Sequence, residues 1–304
     1  PMHPSMEGLA LPLKTFGDPD QWCQTLLAMR EMCHRYKNWI AGVERDAGLL
    51  PDEHRDAAAN NLSKCRACLA RMEDGIDLLE HDEHVRDAFV MTNEAMYEQY
   101  LHYSVVSGER ASLDAPVDSP RCWRPFQLAF IIMNLRSIVD EGCSERGVVD
   151  LIWFPTGGGK TEAYLGLTAF TLIYERLSGT TASGVSVFMR YTLRLLTSQQ
   201  FDRASSLICA LESMRRRRRE VLGERTFRIG LWVGGEASPN TRENASDALN
   251  KYLNSKECKN PFPVRRCPWC GADMEEWEVR DSAYIEHGKK KRIVFACPNS
   301  ECEF

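Results

Sequence analysis

The chain has 304 residues, 43% of them hydrophobic and 27% charged, enough for one large or two ordinary domains with a real core and no disulfide staples. No stretch approaches the roughly 18 uncharged apolar residues of a membrane span, which excludes a helical membrane protein and leaves a soluble one as the expectation. Lys and Arg number 38 against 43 Asp and Glu. The acid is concentrated in residues 1–110, with 11 cations against 19 anions, leaving 27 against 24 in 111–304. Indiscriminate polyanion binding is thereby excluded, but contact between the second part and nucleic acid is not.

Pro1-Met2-His3-Pro4-Ser5-Met6-Glu7 has neither a basic n-region nor an apolar h-region, so no signal peptide is read and the protein is expected in the cytoplasm, with no membrane partner. An opening Pro1 suggests part of a longer protein. From Pro19 to Tyr103, apolar residues recur at helical steps: Trp22, Leu26, Met29 and Met32, then Leu62, Cys65, Leu69 and Met72. This predicts an α-helical domain over 1–115, with breaks at Gly48-Leu49-Leu50-Pro51 and Asp74-Gly75, and a Ser-, Pro- and Asp-rich linker from Ser107 to Pro120.

From Trp123 the pattern changes. A helix over Phe126–Val139 precedes the apolar run Val148–Phe154, after which helix (Thr161–Arg176), strand (Val185–Arg190), helix (Thr197–Arg217) and strand (Thr226–Val233) alternate. Alternation of this kind predicts an α/β domain over 116–262 built on a parallel, RecA-like sheet, incomplete in this chain. At the end of its first strand stands Phe154-Pro155-Thr156-Gly157-Gly158-Gly159-Lys160-Thr161. Glycines let the backbone approach a polyphosphate, a helix N-terminus adds positive potential, Lys160 supplies a point charge to the β- and γ-phosphates, and the Thr161 hydroxyl a Mg²⁺ ligand. Thr156, Gly157, Gly158, Gly159, Lys160 and Thr161 are therefore the candidate ATP site, with Lys160 and Thr161 closest to the chemistry. Phe154 stands where the strict Walker pattern has glycine, and the form here resembles that of superfamily 2 helicases.

Arg124-Pro125-Phe126-Gln127 resembles the Q motif of that superfamily, in which the glutamine amide offers a donor and an acceptor to adenine. Arg190, Thr192 and Arg194, in the run from Arg190 to Gln200, suit phosphate oxygens of a nucleic-acid backbone and resemble motif Ia. Gly234 and Gly235 in Val233-Gly234-Gly235-Glu236 resemble the glycines of motif Ib, where backbone N–H groups meet a phosphate. The Arg215–Arg219 run reads as a solvated helix end, Cys65 and Cys68 as helix packing, and Asp52-Glu53-His54 and Asp82-Glu83-His84 as solvated charges. Ile138-Val139-Asp140-Glu141 reads as the end of the Gln127 helix rather than an acidic box.

Near the C-terminus, Cys267-Pro268-Trp269-Cys270-Gly271 and Cys297-Pro298-Asn299-Ser300-Glu301-Cys302 place four thiols in two close pairs. That spacing predicts one tetrahedral Zn²⁺ held by Cys267, Cys270, Cys297 and Cys302 in a zinc ribbon over 263–304. Between the pairs, Trp277–Ile285 and Arg292–Ala296 read as a hairpin with a basic tip at His287-Gly288-Lys289-Lys290-Lys291. Loss of the metal should stay local, because the ribbon is expected to have its own small core.

Trp123–Phe130, Trp153–Leu167 and Tyr191–Gln200, with the helical N-terminal part and the cysteine pairs, resemble the helicase subunits of the bacterial DISARM anti-phage system, across most of the chain. The resemblance implies an ATP-driven superfamily 2 DNA helicase or translocase, a partner subunit in a defence complex, and a ribbon inserted in the first motor domain. After Lys160 no acidic box follows a strand, so the chain alone is expected to bind ATP without turning it over. Two other readings fit parts of the pattern: a P-loop phosphotransferase of another class, and a non-catalytic ATP-switched module that binds nucleic acid through its ribbon.

Overall fold

The structure, a computed structural model, describes residues 4–117, 119–153, 155, 157–179, 184–191, 194–233 and 238–304. Its regular elements are α1 (Leu13–Phe16), α2 (Trp22–Ala47), α3 (Asp52–His81), α4 (Glu83–Val106), α5 (Pro125–Val139), α6 (Lys160–Leu177), α7 (Arg194–Arg217), α8 (Arg219–Leu222), α9 (Arg242–Asn254), α10 (Arg280–Ala283), β1 (Tyr284–His287) and β2 (Arg292–Phe295). They fall into two compact units. One comprises Pro1–Tyr97, Val117–Phe188 and Glu220–Gly223, the other Glu98–Pro116, Met189–Arg219 and Glu224–Phe304. Among the described residues no helix is long and apolar enough to cross a membrane.

The first unit is a helix bundle. Pro51 ends the connection after α2, and Asp52 and Glu53 put negative charge in the first turn of α3, where the helix dipole favours it. The expected break at Asp74-Gly75 does not occur: α3 continues to His81. Gly75 is instead a contact point, because a Cβ there would lie 2.2 Å from the carbonyl oxygen of Ile132 on α5. Asp82 then ends α3, and its carboxylate accepts the Val85 N–H at 3.2 Å at the start of α4. The core between these helices holds Met29, Met32, Met72, Ile76, Leu79, Leu128, Ile131, Ile132, Leu135, Phe170 and Ile173, all buried.

Polar groups fix the bundle as well. The buried Asn93 side chain donates to the Phe89 carbonyl at 2.8 Å and accepts the Trp123 indole N–H at 2.6 Å. Arg71 donates to both oxygens of Asp150 at 2.7 and 2.8 Å and lies 2.5 Å from Glu145, and Arg136 makes a two-bond pair with Asp74. The first pair turns the only charge in the apolar run Val148–Trp153 inward.

The second unit contains α7, α9 and the β1–β2 hairpin. The hairpin is antiparallel, pairing Tyr284 with Phe295 and His287 with Arg292. Its base is seated in a cluster of Leu249, Tyr252, Phe262, Met274, Ala283 and Tyr284. The Arg215–Arg219 run is not the solvated terminus the sequence suggests. Arg215 is buried in a two-bond pair with Glu212, whose Oε2 also accepts the Phe227 N–H at 3.1 Å. Arg216 pairs with Glu303, Arg217 with Glu98 and Arg219 with Glu224.

The RecA-like parallel sheet expected over 116–262 is not present: among the described residues the only ladder is the β1–β2 hairpin, and the chain is mostly helical. The helices fall close to their expected places, but the described parts of the runs 148–154, 185–190 and 226–233 are irregular backbone. A parallel strand is stable only with hydrogen-bonded neighbours and cover on both faces. Here Val149, Leu151 and Trp153 are 93%, 80% and 89% exposed, and Trp232 is 97% exposed. Apolar runs of strand length, lacking ladder partners, thus leave most of these side chains in water, Phe227 being buried.

Two outcomes follow from this packing. Gly75→Ala should destabilise the chain by about 1–3 kcal/mol through overpacking against the Ile132 carbonyl. Gly42→Ala, where a Cβ meets nothing within 4 Å, should be neutral or stabilising by about 0.5–1 kcal/mol; equal melting temperatures for the two variants would refute the close contact. Burial opposes ionisation of Glu212, but the Arg215 bonds and the Phe227 N–H outweigh it and hold the carboxyl below its ordinary value. A depressed folded value means that this contribution is present above the ordinary carboxylate pKa and is lost as pH falls through the folded one. Glu212→Gln should therefore be less stable at pH 7 and flatten the acid limb of a stability–pH curve, and an unchanged limb would count against the pair.

Candidate functional site

The glycine loop precedes an 18-residue helix, α6. Phe154 and Thr156 lie outside the described residues. Gly157 and Gly159 have φ of +77° and +78°, a left-handed backbone that side-chain-bearing residues rarely adopt. Gly159 is the residue before the helix, so Lys160 and Thr161 open α6, where the first N–H groups lack intrahelical acceptors and the dipole is positive. The Lys160 ammonium donates to the Pro155 carbonyl at 3.1 Å, across the loop.

The N-terminus of α5 grips this loop. Arg124 Nη1 donates to the Gly158 carbonyl at 2.7 Å, and Gln127 Nε2 donates to the Gly159 carbonyl at 2.6 Å. The other end of the Gln127 amide accepts the Arg124 backbone N–H at 2.8 Å, so both ends of this buried side chain are engaged within the unit. A trans peptide plane points its C=O and the following N–H in opposite directions. Drawing the Gly158 and Gly159 carbonyls toward α5 therefore turns the N–H groups of Gly159 and Lys160 away from it. A Cβ on Gly159 would lie 2.8 Å from Gln127 Nε2 and 3.3 Å from Glu162 Oε2, so a side chain there would push the Gln127 amide aside in addition to straining the backbone. Outward N–H groups at a helix N-terminus beside a lysine are chemically able to meet an anion.

The residues assigned to a nucleic-acid backbone belong to the second unit and are only partly described. Arg190 is exposed in irregular backbone. Arg194 opens α7, with its side chain outside the described residues, and Thr192, Gly234 and Gly235 lie outside them altogether.

Cys267, Cys270, Cys297 and Cys302 come together as the sequence predicts, with all four sulfurs within 4.8 Å of one another. Cys270 Sγ is 3.4 Å from Cys297 Sγ, and Cys267 Sγ 3.9 Å from Cys302 Sγ. Sulfurs at about 2.3 Å from one tetrahedral zinc would be about 3.8 Å apart, so the donor set and its size can hold Zn²⁺. Gly271, at φ +77°, closes the knuckle by donating its N–H to the Cys267 carbonyl at 2.9 Å. Burial pushes the Cys302 thiol up to about 12 and raises Cys297 as well, whereas Cys270 is lowered against the effect of burial by the Ala272 N–H and the neighbouring thiols. Cys297 and Cys302 thus resist ionisation in the bare cluster, and a dication among the sulfurs would remove that resistance. Cys65 and Cys68, on α3, join no metal-ligand grouping among the described residues.

Sequence reasoning missed what the centre rests on. Cys267 and Trp269 share a buried cluster with Ala210 of α7, flanked by Cys209 and Phe304. His102 stacks on Trp269 with ring centroids 3.3 Å apart and bonds its carbonyl through Nδ1 at 2.8 Å. Phe304 meets Trp269 edge-on and lies beneath the Arg216 guanidinium at 4.6 Å. The centre is therefore not a self-contained ribbon core: it shares side chains with α7 and the end of α4. No local signal in the sequence links His102 to a residue 167 positions away.

No family model matches the chain. It is 35% identical over 308 aligned residues, 96% of its length, to the DISARM protein DrmA of Bacillus paralicheniformis, and it spans 27% of that protein.

If the four sulfurs act as one ligand set, Cys270→Ser should lower bound zinc from one per chain to none. Hydrogen exchange should then quicken around Ala210 in α7 as well as across 267–304, while α5 and α6 stay protected. Zinc retained in the variant, or faster exchange confined to 267–304, would contradict this arrangement.

Proposed function

From a chain that is DrmA-like along nearly its whole length, we propose a nucleotide-binding part of a DISARM defence ATPase that works on DNA as a helicase or translocase together with a partner subunit. One observation carries the reading: two left-handed glycines, with their neighbouring carbonyls held by Arg124 and Gln127, deliver Lys160 and Thr161 to the first turn of α6. The outward N–H groups of Gly159 and Lys160 meet phosphate oxygens. The Lys160 ammonium leaves the Pro155 carbonyl for the β- and γ-phosphates, and the Thr161 hydroxyl holds Mg²⁺ beside them. Arg124 and Gln127 act on nucleotide through the loop they hold. Thr156 completes the loop. Arg190, Thr192, Arg194, Gly234 and Gly235 follow the DNA backbone by charge and backbone N–H groups, and Cys267, Cys270, Cys297 and Cys302 hold a structural Zn²⁺.

After Lys160 the sequence offers no acidic pair behind an apolar segment, so the chain alone binds ATP without hydrolysing it. Titration with a fluorescent ATP analogue and Mg²⁺ should give saturable binding, weakened at least tenfold in Lys160→Ala with the far-UV spectrum unchanged. Gln127→Ala should also weaken binding, because the Gly159 carbonyl loses its donor. Equal binding by Lys160→Ala and the unaltered chain would exclude the loop as the nucleotide site.

A further inference from the structure

Two basic clusters of the second unit have opposite fates. In Arg215–Arg219, Arg215, Arg216, Arg217 and Arg219 pair with Glu212, Glu303, Glu98 and Glu224. At the turn of the β1–β2 hairpin, Lys289, Lys290, Lys291 and Arg292 are all exposed, and among the described residues none of their side chains makes a hydrogen bond or ion pair. We propose that this tip is a contact for the phosphate backbone of DNA, separate from the residues of the Arg190–Arg194 run.

The construction of the hairpin supports a built feature rather than a solvated run of charge. Its base is fixed: the Tyr284 hydroxyl donates to the Val264 carbonyl at 2.7 Å and accepts from Asn260 at 2.7 Å, and Ser246 of α9 donates to Glu286. Phe262 stacks on Tyr284, and Phe295 meets both rings. Charge is also segregated along the sequence. Glu275, Glu276, Glu278, Asp281 and Glu286 precede the turn, with Arg280 the one Lys or Arg among them, while residues 288–292 carry only cations. Lys291, moreover, has φ +49°, the only left-handed backbone on a non-glycine among the described residues. Glycine would relax that turn, as Gly288 at φ +70° does at its other end; a lysine kept there retains charge at a conformational cost. Four exposed cations in consecutive positions on a packed stem, about 10 Å of chain, suit successive phosphates, and each phosphate neutralised releases counterions.

The inference deepens the DNA reading of the proposed function and rests on it, but its test does not use nucleotide. Fluorescence anisotropy with labelled single-stranded and duplex DNA, across a salt series, compares the unaltered chain with K289Q/K290Q/K291Q/R292Q and with a control, K37Q/R45Q/K64Q, that removes exposed cations of the first unit. Bound zinc and the far-UV spectrum report folding. The tip variant should bind at least tenfold more weakly near 0.1 M salt, with a slope of log affinity against log salt shallower by about 2–4, and the control should match the unaltered chain. A tip variant with unaltered affinity and slope would overturn the proposal, as would a control that loses as much. Absence of any DNA affinity in the unaltered chain would overturn it too, while leaving the ATP titration to judge the loop. Should the fourfold variant lose zinc, K289Q/K290Q spares the strained Lys291 and the strand residue Arg292 and should show about half the change in slope. If the tip variants instead lost binding only to anionic lipid vesicles or to polyglutamate, the partner would not be DNA and the proposal would fail.

Discussion

The contact between Gly75 and the Ile132 carbonyl sets how closely α3 and α5 approach, and the first unit depends on that approach. With the missing side chain at Gly75, α5 can bury Leu128, Ile131, Ile132 and Leu135 in the bundle. Arg136 then meets Asp74 one turn away, and Arg124 and Gln127, at the other end of the same helix, reach the carbonyls of the glycine loop. Loop geometry is thus inherited from helix packing. The glycine loop contributes permissive backbone, but the direction of its N–H groups is imposed by two side chains that sit on a rigid element.

The parts legible in the sequence were those whose signal is local. Helical periodicity located α2, α5, α6 and α7 to within a few residues, and the two cysteine pairs identified the four sulfurs that meet. Glycine disfavours helices and Gly75 reads as a break in the sequence, yet in a long buried helix the gain from close packing outweighs that preference. The three apolar runs have the length and composition of buried strands, but a strand is a property of a pair, and sequence alone cannot supply the neighbour. The sequence marks Gln127 as a polar residue near the loop, but its burial and its bonds to Arg124 and Gly159 depend on the placement of a loop 32 residues away.

The metal centre shows the same limit from another side. Its ligands are encoded by spacing, whereas its mechanical support is not: His102, Ala210, Arg216 and Phe304 are drawn from three distant stretches of chain. The basic run at the end of α7 is likewise structural because Glu98, Glu212 and Glu303 happen to meet it in space. Counting cations along the sequence overstates what is available to a polyanion, whereas the hairpin tip keeps four consecutive cations exposed.

The inward turn of Asp150 affects how the chain behaves in concentrated solution. A charged residue inside an apolar run of strand-forming side chains ordinarily keeps neighbouring molecules apart. Here that carboxylate is committed to Arg71, so Val149, Leu151 and Trp153 face water with no charge between them to repel a second copy. The surface that results is an exposed apolar patch, the kind of surface on which molecules associate. Excluded salts such as sulfate strengthen apolar association and screen the overall net charge of −5, so the Arg71–Asp150 pair, by taking the charge out of this patch, bears on the chain's behaviour in solution as well as on its packing.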